Sequence, residues 1–296
     1  MAVRATPVSP SSKAEAKQAV VDTLPVWHGK KAQVIDYLDL SHPFATTVPW
    51  VLVIAQAAGP IPAPEWTGHG PIAVCFAVKT RPANPQCTGA YWQRGEGMAW
   101  FVQPYGVVAA RVVYAGPKQT RPLLLVQTCS VPGMNGSCST RTSLYEYSDQ
   151  IEAFSRVFVH DSDGSNNNQS ARFVEHGPLI GDVIVDYPTS HAPYVYWVEV
   201  YAAGESGQFA RILKYRSHTR YGDGNPLPVI DSEMPAIMER LGVWRPGNAL
   251  PVPLNMPSGC GQLVLRHAEE WCENLCRPLP GSDCSRDARS EAARDR

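Results

Sequence analysis

Short apolar runs, broken by proline, glycine and polar turns, recur along most of this chain. Residues 33–40 (QVIDYLDL) alternate in part, as a half-buried strand does. Residues 50–57 (WVLVIAQA) and 72–79 (IAVCFAVK) are apolar almost throughout, the pattern of strands covered on both faces. Residues 100–103, 107–114 and 123–128 (LLLVQT) continue the series. Residues 142–147 and 153–160 alternate around a turn at Asp149-Gln150, and a polar loop leads on to 171–175 and 182–187. Residues 194–201 (YVYWVEVY) are rich in aromatic and β-branched side chains, which suit a pleated surface. The loop 204–207 returns them into 209–215 (FARILKY), which predicts an antiparallel hairpin.

Two helices are expected among these strands. Residues 232–241 have Asp231 or Ser232 as cap, Pro235 in the first turn, Gly242 as stop and an apolar face of Ile237, Met238 and Leu241. Residues 263–276 form the second, stopped by Pro278. The fold expected is mainly β, an antiparallel β-sandwich or packed β-sheets with one or two peripheral helices. A β-propeller-like arrangement is the alternative. A proline-led apolar run recurs at 49–60 and 122–133, and HGP at 69–71 and 176–178, but the offsets differ and set no repeat period.

Composition adds boundaries to that pattern. Residues 1–22, rich in Pro, Ser, Ala and Lys, read as a flexible arm, 23–256 as the β-rich globular domain, 257–284 as a cysteine-rich helical appendage and 285–296 as a disordered tail. With 26 Lys+Arg against 27 Asp+Glu the charge is nearly balanced, which gives no electrostatic ground for a nucleic-acid partner. The best apolar run, 48–58, falls short of the roughly 18 residues of a membrane span. Residues 1–20 carry no apolar leader core, so no signal peptide is visible.

The eight cysteines fall in close groups: Cys75 with Cys87, Cys129 with Cys138, and Cys260, Cys272, Cys276 and Cys284 together. Local even pairing is the mark of an oxidising compartment and places the protein in the periplasm or outside the cell; reduced thiols would place it in the cytoplasm. The expected bonds are Cys75–Cys87 and Cys129–Cys138, with Cys272 and Cys276, four apart on one helical face, tied to Cys260 and Cys284 in either order. The same C-terminal group, with His267, has donors for zinc. The disulfide staple is the preferred reading, and no metal is expected.

Candidate binding residues come from three places. Asp161, Asp163 and Asn166 open a loop like that of a calcium site, but position twelve is Arg172, which would repel the ion. A polar turn is the preferred reading. Asp223, Asp231 and Glu233 bring three carboxylates close in sequence, the residue type a glycoside hydrolase needs, within a stretch that also suits a turn and a helix cap. Tyr194 and Tyr196 share one face of a strand and would form an aromatic platform if they were not core. No nucleotide-binding or hydrolase motif occurs, so no cofactor is expected and catalytic residues are unknown.

The stretches NNNQSARFVEHGPLIGDVI, APYVYWVEVY, KYRSHTRYGDGNPLPVIDSEMP and WRPG, within 166–247, resemble uncharacterised bacterial proteins. The resemblance implies a bacterial source and a shared fold, and assigns no activity. The function expected is that of a non-catalytic binding or interaction protein of the bacterial cell envelope, such as an inhibitor, immunity-type or accessory protein, with another protein as partner. The alternatives are a hydrolase with a carboxylate/His site assembled from loops, and a structural subunit of a larger assembly.

Overall fold

The computed structural model describes residues 10–24, 31–57, 72–78, 86–88, 106–116, 120–132, 138–162, 169–189, 194–217, 219–220 and 227–248. Helix α1 (Pro10–Thr23) comes first. The strands β1 (Ala32–Asp39), β2 (Trp50–Ala57), β3 (Ile72–Val78) and β4 (Gln86–Thr88) form a first antiparallel sheet in sequence order. A middle sheet follows, from β5 (Gly106–Ala115), β6 (Arg121–Pro132), β7 (Cys138–Ser148) and β8 (Ala153–Ser162), again in sequence order. The last sheet holds β9 (Ser170–Phe173), β10 (Val183–Pro188), β11 (Tyr196–Ala203) and β12 (Phe209–Arg216), and α2 (Leu227–Arg240) ends the described chain. The protein is therefore mainly β, and among the described residues its sheets close into neither a barrel nor a propeller.

Alternation along the strands stacks these elements into five layers. Ala16 and Val20 of α1, with Leu24 just after it, pack on Val51, Val53, Ala73 and Cys75 of the first sheet. The opposite face of that sheet, with Trp50, Leu52, Val74 and Phe76, meets Leu124, Val126, Tyr145 and Phe154 of the middle sheet. The other face of the middle sheet sets Leu123, Leu125, Leu144 and Phe158 against Phe173, Val183 and Val185 of the last. Ile184, Val198 and Val200 then turn outward to Ile230, Met234, Ile237 and Met238 of α2. This layering explains the unbroken apolar runs. β2, β3 and β6 are covered on both faces, and each large side chain buried there contributes about 2 kcal/mol.

The structure departs from the sequence reading at both helices. Part of the segment read as a flexible arm forms α1, because Ala16, Val20 and Leu24 recur every fourth residue and give α1 an apolar stripe, with Ala16 and Val20 fully buried. α2 starts at Leu227, not 232, with Pro228 in its first turn where a missing N–H costs nothing. Pro235 consequently lies inside the helix and cannot donate to the Asp231 carbonyl. The Met238 carbonyl accepts from Val243 N–H (3.0 Å) and closes α2 beyond Gly242. β4 was not foreseen. The expected strand at 100–103 and the helix at 263–276 lie outside the described residues, as does the C-terminal cysteine group. β11 and β12 pair antiparallel as expected, with Glu199 opposite Lys214. Among the described residues no helix is long and apolar enough to cross a membrane.

Cys75 and Cys87 face each other across β3 and β4 and are bonded, with their Cα atoms 4.0 Å apart. Cys129 is also disulfide-bonded. The side chain of Cys138, on β7 across the hairpin from Cys129, lies outside the described residues. Alkylation under denaturing, non-reducing conditions should leave Cys75, Cys87 and Cys129 unmodified. Peptide mapping should join Cys75 to Cys87 and Cys129 to Cys138; a free Cys75 thiol would contradict the pairing. The Cys75–Cys87 bond closes a short loop worth roughly 2–3 kcal/mol on the chain-entropy argument.

Candidate binding site between the middle and last sheets

One end of the interface between the middle and last sheets is polar. The cause lies in the alternation of β11: Trp197, Glu199 and Tyr201 share the face turned to the middle sheet, while Tyr196, Val198 and Val200 face α2. Glu199 is thereby carried into the interface, where its side chain is only 5% exposed. An isolated buried carboxylate would be very costly, and this one is met on both oxygens. Tyr187 Oη donates to Oε1 (2.8 Å), and Lys214 Nζ lies 2.7 Å from the same oxygen. Arg211 also donates to Oε1 (3.2 Å), and Tyr201 Oη donates to Oε2. Burial pushes the Glu199 carboxyl up, but the hydrogen bonds from Lys214, Tyr201 and Tyr187 outweigh it and hold the group at about 2. The same carboxylate, after burial, pushes Tyr201 up to about 12. Glu199 therefore stays ionised across the physiological range.

Strand β8 supplies the other wall. Phe158 lies 5.4 Å from the Tyr201 ring and 5.7 Å from Phe209, which fixes β8 over β11 and β12. Two residues on, His160 faces Thr142 across β7 and lies within the field of Glu199. Burial holds its imidazole below the usual range, against the pull of Asp161 and Glu199, so it is neutral at pH 7. Its Nε2 is buried and has no hydrogen-bond partner among the described residues. Ser162 follows on the same face of the strand, 3% exposed, and its Oγ is also without a partner among the described residues. Thr142, by contrast, is satisfied: Gln127 Nε2 donates to its Oγ1 (3.0 Å) and to the Ala171 carbonyl (3.3 Å). Buried polar atoms without a protein partner are uncommon enough to need an explanation, and here two neighbours on one strand share the condition.

The β11–β12 edge of the last sheet is cationic and aromatic. Lys214 Nζ stands 4.7 Å from the centre of the half-buried Trp197 ring, and the Arg216 guanidinium stands 5.8 Å from it. Arg216 also donates to Thr189 Oγ1 (3.3 Å). Arg211, Lys214 and Arg216 lie on β12, an edge strand of its sheet, and the first two are paired with Glu199.

The residues singled out in the sequence lie elsewhere. Both carboxylate oxygens of Asp161 accept from Arg141 (2.6 and 2.8 Å), and the bond to Arg141 holds its carboxyl below the usual range. Asp163, Asn166 and Asp223 lie outside the described residues. Asp231 is paired with Arg172 of β9, and Glu233, buried on α2, accepts from Tyr215 Oη (2.9 Å). Tyr196 is 1% exposed and packs with its ring 6.3 Å from that of Tyr194. None of these residues is brought to the Glu199 region except Asp161, which neighbours His160. Among the described residues no cluster of three or more His, Cys, Asp or Glu side chains is placed to hold a metal. Sequence reasoning passed over His160, Ser162, Glu199 and Lys214. The available signal was the alternation in YVYWVEVY, which sets a lone carboxylate among aromatic residues on one face.

No family model, curated protein or solved structure matches the chain.

Proposed function

We propose that this is a non-catalytic binding protein of the bacterial cell envelope, and that it takes an anionic partner at the open end of the interface between the middle and last sheets. The observation that carries the reading is the aromatic and cationic cluster of Trp197, Lys214 and Arg216 on the edge strand pair, on the interface that also holds His160 Nε2 and Ser162 Oγ, buried and without a partner among the described residues. Polar atoms inside and an aromatic–cationic rim outside are the ingredients of a recognition site. Two cations, Arg211 and Lys214, on the one carboxylate Glu199, with Arg216 beside Trp197, leave positive charge to be matched from outside. The bonded cysteines support an oxidising compartment.

Calorimetric titration with short polyanions (oligogalacturonate and oligoglutamate) and with an oligolysine control tests the reading. At least one anionic probe should bind, the oligolysine should not, and affinity should fall as salt is added. Trp197→Ala or Arg216→Ala should weaken binding at least tenfold, while Lys17→Ala, on α1 at the far end of the stack, should not. Absence of binding by every anionic probe, or binding indifferent to Trp197 and Arg216, would overturn it.

A further inference from the structure

The edge of the last sheet narrows the class of partner, and this step rests on the binding reading above. We infer that the open side of β12 takes an acidic strand of another protein, which joins the last sheet as a fifth, antiparallel strand with its carboxylates beside Arg211, Lys214 and Arg216.

β12 ends its sheet, and no described strand pairs with its outer side. Five of its eight residues are exposed, whereas the edge strands β4 and β9 have only three and four residues and β5 has a single exposed position. The direction of its main chain follows from its two ends. Gly204 N–H donates to the Gln208 carbonyl (2.9 Å), and Ser217 N–H donates to the Tyr196 carbonyl (2.8 Å). Bonded and non-bonded pairs alternate along an antiparallel ladder. Counted from either end, Tyr201–Arg211, Glu199–Lys214 and Trp197–Arg216 are non-bonded pairs. The N–H and C=O groups of Arg211, Lys214 and Arg216 therefore point away from β11, toward an added strand. The register shifts at Ile212, which is 50% exposed, and the added strand follows that bend.

The side chains set the sign of the partner. Arg211 and Lys214 both pair with Glu199, and Arg216, two residues beyond Lys214, stands over Trp197, so all three share one face. A lysine on an edge strand keeps other strands away when its charge would be buried unmatched. Lys214 is already matched, with Nζ 2.7 Å from Glu199 Oε1. Three cations against that one carboxylate leave a net charge of +2 on the face. Opposite charges directly across two strands attract, and like charges repel. The β12 of a second copy would set these cations against their own kind, whereas an acidic strand matches them.

Calorimetry and amide hydrogen exchange with a capped peptide of alternating glutamate and threonine, matched to β12 in length, test this. In the free protein the amides of Arg211, Lys214 and Arg216 should exchange fast. The peptide should bind saturably and slow them about tenfold. In an antiparallel pair the glutamates that face the cations also turn their own N–H groups to β12. Methylating the glutamate nitrogens should therefore abolish binding at unchanged charge, and methylating the threonine nitrogens should not. A lysine–threonine peptide should not bind, and Arg216→Glu should weaken the acidic peptide about tenfold. Circular dichroism checks that this variant is folded; if it is not, the methylated peptides decide the matter on the wild-type protein alone. Binding indifferent to glutamate methylation would overturn strand addition while leaving an anionic site. Slow exchange of the three amides in the free protein would show the edge already covered, by the chain itself or by a second copy, and would overturn the assignment. If the peptide fails and oligogalacturonate binds, this inference falls and the binding reading stands; if both fail, both fall.

Discussion

Asp186→Asn should make the protein more stable at pH 8, by about 2 kcal/mol, and should flatten the fall in stability between pH 5 and pH 8. Asp186 sits on the α2-facing side of β10 and is fully buried. Its Oδ1 accepts from the Ser170 N–H (2.7 Å) and the Ser170 hydroxyl, but Oδ2 has no partner among the described residues. Burial pushes the carboxyl up to about 7, against the bonds from Ser170 and the charge of Arg172, which is itself paired with Asp231 on α2. A folded-state pKa raised above the unfolded value means that the folded chain holds the proton more tightly. The contribution is complete below about pH 4 and is lost as pH rises through 7. Asparagine is the uncharged mimic and removes that loss, while its amide inherits the unpaired position and offsets part of the gain. Asp182, also pushed up to about 7 by burial, acts in the same direction and stays in the variant, so the slope should shrink and not vanish. Glu199 works the opposite way: held at about 2, it withdraws stability as pH falls below 4.5. Wild-type stability should therefore be highest near pH 4 and fall as pH rises from there through 7. Urea denaturation of both proteins at pH 5, 6, 7 and 8 measures this. Identical midpoints at pH 8 would show that Asp186 is not ionised against its surroundings.

Asp186 also shows where sequence reasoning stops. The strand DVIVDY was legible as a strand, but whether its second aspartate faces water or α2 depends on how a helix forty residues later is laid down. The same limit hid Glu199. Alternation assigns it a face with Trp197 and Tyr201, yet only the stacking of the middle sheet makes that face an interior. β2 and β3, by contrast, were readable because an uninterrupted apolar run has one common explanation, cover on both faces. The ion pairs joining distant segments, Arg111 with Glu175 and Arg172 with Asp231, leave no local trace at all. α1 was a different kind of miss. Its composition resembles that of a loose arm, and the every-fourth-residue spacing of Ala16, Val20 and Leu24 was the better guide.

Gly181→Ala should be among the most damaging small substitutions in the protein, costing about 3 kcal/mol. Gly181 lies in the turn between β9 and β10, where its N–H donates to the Val174 carbonyl (2.8 Å). Its φ is +91°, a conformation that already penalises any side chain by about 1 kcal/mol. The greater part of the cost comes from the neighbour. A Cβ here would stand 2.7 Å from the Gly116 nitrogen and 3.0 Å from the Ala115 Cα, both backbone atoms at the end of β5 in the middle sheet. No rotamer change relieves such a contact. The turn or the strand end must move, and either movement loosens the interface that Val183 and Val185 make with Leu123 and Leu125. Gly242, which ends α2 with φ +71°, is the control: an added Cβ there meets nothing within 4 Å, so Gly242→Ala carries the conformational strain alone. The difference between the two variants in chemical denaturation isolates the close approach of the two sheets. If Gly181→Ala costs no more than Gly242→Ala, the last sheet is not held against β5 at this turn.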